Sequence, residues 1–181
     1  NILTPDSKAL NLLNQSAVEK FFSDNKPEYV FNAAAKVGGI YANELYSADF
    51  IYENTQIQNN LIHSSMQNKV KKFLFMGSSC IYPRDAQQPI KESYLLSSYL
   101  EETNEAYAIA KINGIKMLEH YKKCYDFNST SLMPCNLYGS NDNYDLNTNH
   151  VFPALIRKFV DAKINNLSFV EVWGTGKVFR E

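Results

Sequence analysis

Short runs rich in apolar side chains alternate along this chain with longer stretches whose apolar positions recur at helical spacing. The runs at 29–33, 72–76, 129–133 and 168–173 read as strands. The stretches at 16–25, 47–68, 104–125 and 150–163 read as amphipathic helices, each long enough to cover one face of a sheet. Strand and helix in alternation predict βαβ units, and therefore an α/β fold built on a parallel sheet. No internal repeat or low-complexity linker interrupts the pattern.

An open α/β sheet holds its ligands at the carboxyl ends of its strands, which singles out the loops at 34–39, 77–83 and 134–139. The helix that follows the second of these begins at a capping Thr103 or Asn104, and Ala108, Ile112, Ile115 and Leu118 form its buried stripe. Tyr107 and Lys111 lie beside that stripe, four residues apart, so one sits a helical turn above the other. A neighbouring ammonium favours phenolate and is expected to lower the tyrosine's pKa from about 10, making Tyr107 a proton donor and acceptor near neutral pH. Gly114, on the same side, leaves room for a close approach. Alone, such a pair is common on helix flanks, but Gly77, Ser78, Ser79 and Cys80 follow a predicted strand and present hydroxyls where the helix can face them. A serine there can donate to a substrate oxygen gaining negative charge, although by itself the pair of serines also suits a turn or a cap.

Composition narrows the classes. The chain has 181 residues, 45% hydrophobic and 20% charged, as expected of one globular domain or part of a larger one. A net charge of −1 offers no basic field for nucleic acid. Cys80, Cys124 and Cys135 are unclustered and lack CxxC spacing, which argues against a disulfide framework or a zinc site and makes a reducing cytosol the simplest setting. No apolar run is long enough for a membrane span. The sequence starts at Asn1 and stops at Glu181 just after a glycine-containing turn, so both ends read as cut.

With these residues in place, the chain resembles the extended short-chain dehydrogenase/reductase superfamily, whose serine, YxxxK tyrosine and lysine match Ser78, Tyr107 and Lys111. The strings AAAKVGGI (33–40), GSSCIYP (77–83), TNEAYAIAK (103–111), MPCNLYG (133–139) and WGTG (173–176) are similar to the GDP-L-fucose synthase family over essentially the whole chain. The resemblance implies a Rossmann-type doubly wound parallel sheet. Here that sheet is truncated at both ends: residues 1–181 form its central part, and a substrate-binding region begins from about residue 140. It implies an NADPH-dependent epimerase and reductase that inverts C3 and C5 of GDP-4-keto-6-deoxy-D-mannose and then reduces the C4 ketone, and it implies a homodimer.

The family's roles map onto particular residues. Ser78 and Tyr107 would stabilise the enolate oxygen, Tyr107 would protonate O4 during reduction, Cys80 would be the base and His150 the acid. Cys80 is chemically able to serve if a nearby positive charge brings its thiol down from about 8.5; a buried small hydrophobe is its alternative. Histidine is a residue type suited to acid catalysis near neutral pH, but His150 also sits where a helix begins, which makes a structural histidine a fair alternative. Met76, Gly77, Ser78, Ser79, Lys111, Pro134, Cys135, Asn136, Leu137 and His150 would line the cofactor, with Lys111 on the nicotinamide ribose. Lys158, Trp173 and Arg180 would contact the GDP-sugar; solvated charge and core packing are the alternatives for the first two.

One part of the pattern is missing. No GxxGxxG phosphate loop occurs, and Gly38-Gly39 lacks the spacing to replace it, so the chain alone is expected to bind dinucleotide poorly and to be inactive. Another nucleotide-sugar epimerase or dehydratase of the superfamily, or a non-catalytic fragment, are the alternative readings; Cys80 together with His150 argues against the first, and the intact set Ser78, Cys80, Tyr107, Lys111 and His150 against the second.

Overall fold

A computed structural model describes residues 1–146, 148–172 and 174–177. Three parallel strands, β1 (Tyr29–Asn32), β2 (Lys72–Met76) and β3 (Ser129–Leu132), lie in the order β1-β2-β3. Helix α1 (Gln15–Asn25) precedes β1; α2 (Ile40–Leu45) and α3 (Ser47–Gln67) join β1 to β2; α4 (Glu105–Tyr125) joins β2 to β3; α5 (Val151–Ile164) follows. The alternation of strand and helix in the sequence thus produces the α/β parallel sheet expected of it. Two departures stand out. Residues 40–45 form a short helix where the sequence pattern marked no element. The run at 168–173 was expected to be a fourth strand, but residues 168–172 pair with no ladder and Trp173 lies outside the described residues. Isolated β-propensity does not make a strand without a partner edge.

Register explains which side of the sheet is packed. Val30 pairs with Phe73, and Asn32 and Ser131 flank Phe75, so these side chains share one face. Phe73 and Phe75 are wholly buried there with Ile62 of α3 and Ile112, Ile115 and Leu118 of α4. Tyr29, Phe31, Leu74 and Thr130 point to the other face, where Tyr29 and Phe31 are exposed.

The close approach of α3 and α4 rests on a notch. A Cβ at Gly114 would lie 2.5 Å from Phe75 Cζ and 2.9 Å from Gln58 Oε1. The missing side chain lets Phe75 and the buried amide of Gln58 fill that space, and Gln58 Nε2 donates to the Ala110 carbonyl of α4. α4 can therefore lie down on the end of β2, which determines where its polar residues emerge.

Gly114→Ala tests the notch. Alanine is the better helix former by about 1 kcal/mol, but the added methyl meets a ring and an amide that are both packed, and overpacking costs about 1–3 kcal/mol. The expected result is a lower urea midpoint with the denaturant slope unchanged; a raised midpoint would show that the notch is slack.

Candidate active site at the end of β2

Lys111 is the buried centre of the site. Its side chain is 4% exposed and Nζ donates to the Met76 carbonyl, the last of β2, at 2.7 Å. The same ammonium stands 5.0 Å from the centroid of Phe75 and 5.5 Å from that of Tyr107. Loss of water pushes its pKa down from 10.5 to about 8, with the neighbouring Cys80 charge working the other way, so the lysine is still an ammonium at neutral pH.

Directly after β2, the backbone turns. Gly77 donates to the Leu132 carbonyl at 2.8 Å, continuing the ladder to β3, and a Cβ there would come within 2.5 Å of Met133 Sδ. Ser78 caps a short 3₁₀ turn (Ser79–Ile81), its Oγ accepting from the Cys80 N–H at 3.4 Å. That turn packs on α4 and brings half-buried Ser78 and Cys80 beside Tyr107 and Lys111. Ser78, Cys80, Tyr107 and Lys111, proposed separately from the sequence, therefore converge.

The electrostatics correct two expectations. Tyr107 was expected to be lowered by Lys111; instead burial, reinforced by the Cys80 charge, pushes its phenol well above its ordinary value. The ammonium lies toward the ring rather than in a hydrogen bond with the hydroxyl, so desolvation wins. Cys80 was expected to come down; a hydrogen bond from Ser78 and the Lys111 charge do act in that direction, but burial outweighs them and the thiol is raised. Tyr107 is consequently a phenol throughout the physiological range, the form that gives a proton. Cys80 offers few thiolates, but each is more basic than an ordinary one.

The remaining candidates are distributed around this cluster. Pro134 is half-buried and Cys135, Asn136 and Leu137 are exposed in the loop after β3, alongside the exposed Ser79. His150 is exposed at the start of α5, and its side chain makes no capping hydrogen bond there. Lys158 is half-buried and its Nζ donates to the Glu171 carbonyl at 3.0 Å. Trp173 and Arg180 lie outside the described residues.

Sequence reasoning missed the polar scaffold behind the loop after β1. Asn54 is 2% exposed; its Oδ1 accepts from Lys36 N at 2.8 Å while Nδ2 donates to Lys36 O at 3.0 Å and Phe50 O at 2.8 Å, a clamp on both backbone groups of Lys36 and on its own helix. Asn43 Nδ2 likewise donates to the Gly38 and Gly39 carbonyls at 2.8 and 3.1 Å. Phe50 meets the Tyr107 ring edge-on, with centroids 6.3 Å apart. Only the four-residue spacing of Asn54, Gln58 and Ile62 hinted that these amides faced inward.

The serine, the YxxxK helix and the buried lysine thus stand at the end of the middle strand of a Rossmann-like parallel sheet. The chain belongs to the NAD dependent epimerase/dehydratase family, whose model matches residues 4–181. GDP-L-fucose synthase 1 of Arabidopsis thaliana is 55% identical over 181 residues, all of this chain and 56% of that protein. A GDP-L-fucose synthetase from Naegleria fowleri, solved with NADP bound, superposes with a TM-score of 0.88 at 31% identity over 98% of this chain and 58% of its own. A GDP-D-glycero-L-gluco-heptose synthase from Campylobacter jejuni, solved in the presence of NADPH, gives 0.86 at 46% identity over 91% of this chain and 48% of its own. The chain thus spans about half the length of the relatives it matches. Among the described residues no helix is long and apolar enough to cross a membrane and no cluster of metal-ligating side chains occurs.

Lys111 supplies a pH test that needs no substrate. The folded protein releases the lysine proton near pH 8 and the unfolded chain near 10.4. Below pH 8 both hold it and the burial cost is present in full; between 8 and about 10.4 the unfolded state binds more protons, so stability rises with pH, by at most about 1.4 kcal/mol per unit. Urea unfolding of wild type minus Lys111→Met should show that rise across this window. A flat difference would mean that the ammonium is solvated.

Proposed function

We propose that the full-length protein is an NADPH-dependent GDP-L-fucose synthase, acting on GDP-4-keto-6-deoxy-D-mannose by epimerisation at C3 and C5 and then reduction at C4. The observation that carries this reading is the convergence of Cys80 with Ser78, Tyr107 and Lys111 at the end of β2. A reductase needs the serine, tyrosine and lysine; a general base beside them adds the means to invert ring carbons. The likeness to the plant synthase at 55% identity supports the same substrate.

The strand-end residues fit the nicotinamide end of a dinucleotide. Lys111 presents a desolvated ammonium, Gly77 makes room for Met133 between β2 and β3, and the exposed Leu137 offers an apolar surface to a ring. Met76, Ser79, Pro134, Cys135, Asn136 and His150 complete the proposed lining, and the bound cofactor would supply hydride to C4.

The C4 ketone acidifies the hydrogens on C3 and C5. Cys80 as thiolate takes one of these protons, leaving an enolate whose oxygen accepts hydrogen bonds from Ser78 and Tyr107. His150 returns a proton to the opposite ring face, and reprotonation there inverts the centre. During reduction the Tyr107 phenol gives its proton to O4, for which its raised pKa keeps it charged with hydrogen. Lys111 stabilises the phenolate left behind and compensates the Cys80 thiolate. Lys158, Trp173 and Arg180 are assigned to the GDP moiety, and a homodimer is the proposed assembly. A reductase of a related GDP-4-ketosugar that inverts no centre is the second reading, favoured by the 45% identity to a GDP-mannoheptose C4 reductase from Campylobacter jejuni.

Cys80→Ser separates the two readings. A hydroxyl is too weakly acidic to serve as base near neutral pH, whereas reduction needs only Ser78, Tyr107, Lys111 and cofactor. In heavy water the variant should lose deuterium uptake at C3 and C5 by about 100-fold or more and yield GDP-6-deoxy-D-mannose or its 4-epimer by NMR. Uptake at the wild-type rate, with GDP-L-fucose still formed, would make Cys80 a packing residue.

A further inference from the structure

We propose that Gly39 is the positioning residue that seats the His150 loop at the site, an inference that rests on the acid role assigned to His150. Gly38 and Gly39 face two ways. On one side, the Cβ that Gly38 lacks would come 2.9 Å from Ala42 Cβ and 3.3 Å from Phe50 Cζ, and the Phe50 ring in turn supports the edge of Tyr107. On the other, Gly39 N donates to the Thr148 carbonyl at 3.3 Å, and a Cβ at Gly39 would lie 2.6 Å from Asn149 O. His150 follows immediately in the chain. The two glycines therefore couple the wall of the tyrosine to the segment that delivers the histidine, whose side chain makes no capping hydrogen bond at the start of α5.

Each partner of this latch is itself fixed. Asn43 grips the Gly38 and Gly39 carbonyls and Asn54 grips both backbone groups of Lys36, which holds the glycine turn at both ends. Across from it, Asp145 Oδ1 accepts from Thr148 N at 3.1 Å and from Thr148 Oγ1 at 3.0 Å, Asn149 N donates to Asp145 O at 3.0 Å, and Asn143 Nδ2 donates to Thr148 Oγ1 at 2.9 Å. A preorganised turn pressed on a clamped one transmits any sub-ångström displacement to the next residue. Gly39 has φ −67° and ψ 179°, a conformation open to any residue, so an alanine there is strained by nothing except Asn149 O. Because that atom is backbone, relief requires moving residues 148–150.

The test compares Gly39→Ala with Thr148→Val in the full-length protein. Thr148→Val keeps side-chain size on an exposed loop and removes only the two Oγ1 hydrogen bonds, so it folds even where the glycine variant does not. Deuterium uptake at C3 and C5 of GDP-4-keto-6-deoxy-D-mannose is expected to fall at least tenfold in Gly39→Ala and about threefold in Thr148→Val. Reduction of the 4-ketone at saturating NADPH should change less than threefold in both. Amide hydrogen exchange, read without substrate, should accelerate at 145–152 and not in β2 or α4. Equal losses of uptake and reduction, or unchanged exchange at 145–152, overturn the positioning role. If wild type acts on the sugar by reduction alone, the proposed epimerisation fails, and amide exchange still decides whether Gly39 seats the loop.

Discussion

The hydrogen bond from Lys111 to the Met76 carbonyl is the contact on which the site depends. It ties the middle of α4 to the last residue of β2 and holds a positive charge where water cannot reach. An ammonium in such a place costs on the order of 3 kcal/mol relative to solution if the whole lowering of its pKa is counted. A carbonyl and two aromatic faces offset part of that cost. The geometry exists only because Gly114 and Gln58 let α4 settle onto Phe75; a helix held farther out would leave the ammonium short of the strand. Packing of small and amide groups between two helices is thus the physical origin of the site's charge.

That charge organises its neighbours unequally. Desolvation raises the Tyr107 phenol and the Cys80 thiol, while Lys111 and Ser78 draw the thiol back part of the way. The result is one group that stays protonated and one whose anion is scarce and strongly basic. For the proposed reaction these are complementary: the phenol is spent only when O4 needs a proton, and the thiolate is consumed at a carbon whose hydrogen is already acidified by the ketone.

Much of this was legible in the sequence. The strands at 72–76 and 29–33 and the helices at 47–68 and 104–125 were marked by periodicity, because their buried stripes are apolar and uninterrupted. The residues Ser78, Cys80, Tyr107 and Lys111 could be named since a strand end and a helix face fix where they emerge. What could not be read follows from interactions that leave no periodic trace. The 168–173 run has strand-like composition, but among the described residues 168–172 pair with no ladder. Asn43, Asn54 and Gln58 look like solvent-facing amides until the backbone groups they satisfy are known. The direction of the Tyr107 shift was missed because spacing reveals that Lys111 is near but not that both are buried.

The most direct measurement is of the unmodified full-length protein with GDP-4-keto-6-deoxy-D-mannose and NADPH in heavy water, followed by NMR of the sugar. Deuterium at both C3 and C5 of GDP-L-fucose, with one equivalent of NADPH oxidised, is the predicted result. NADPH oxidation giving a reduced sugar of unchanged C3 and C5 configuration, with no deuterium at either carbon, would contradict it.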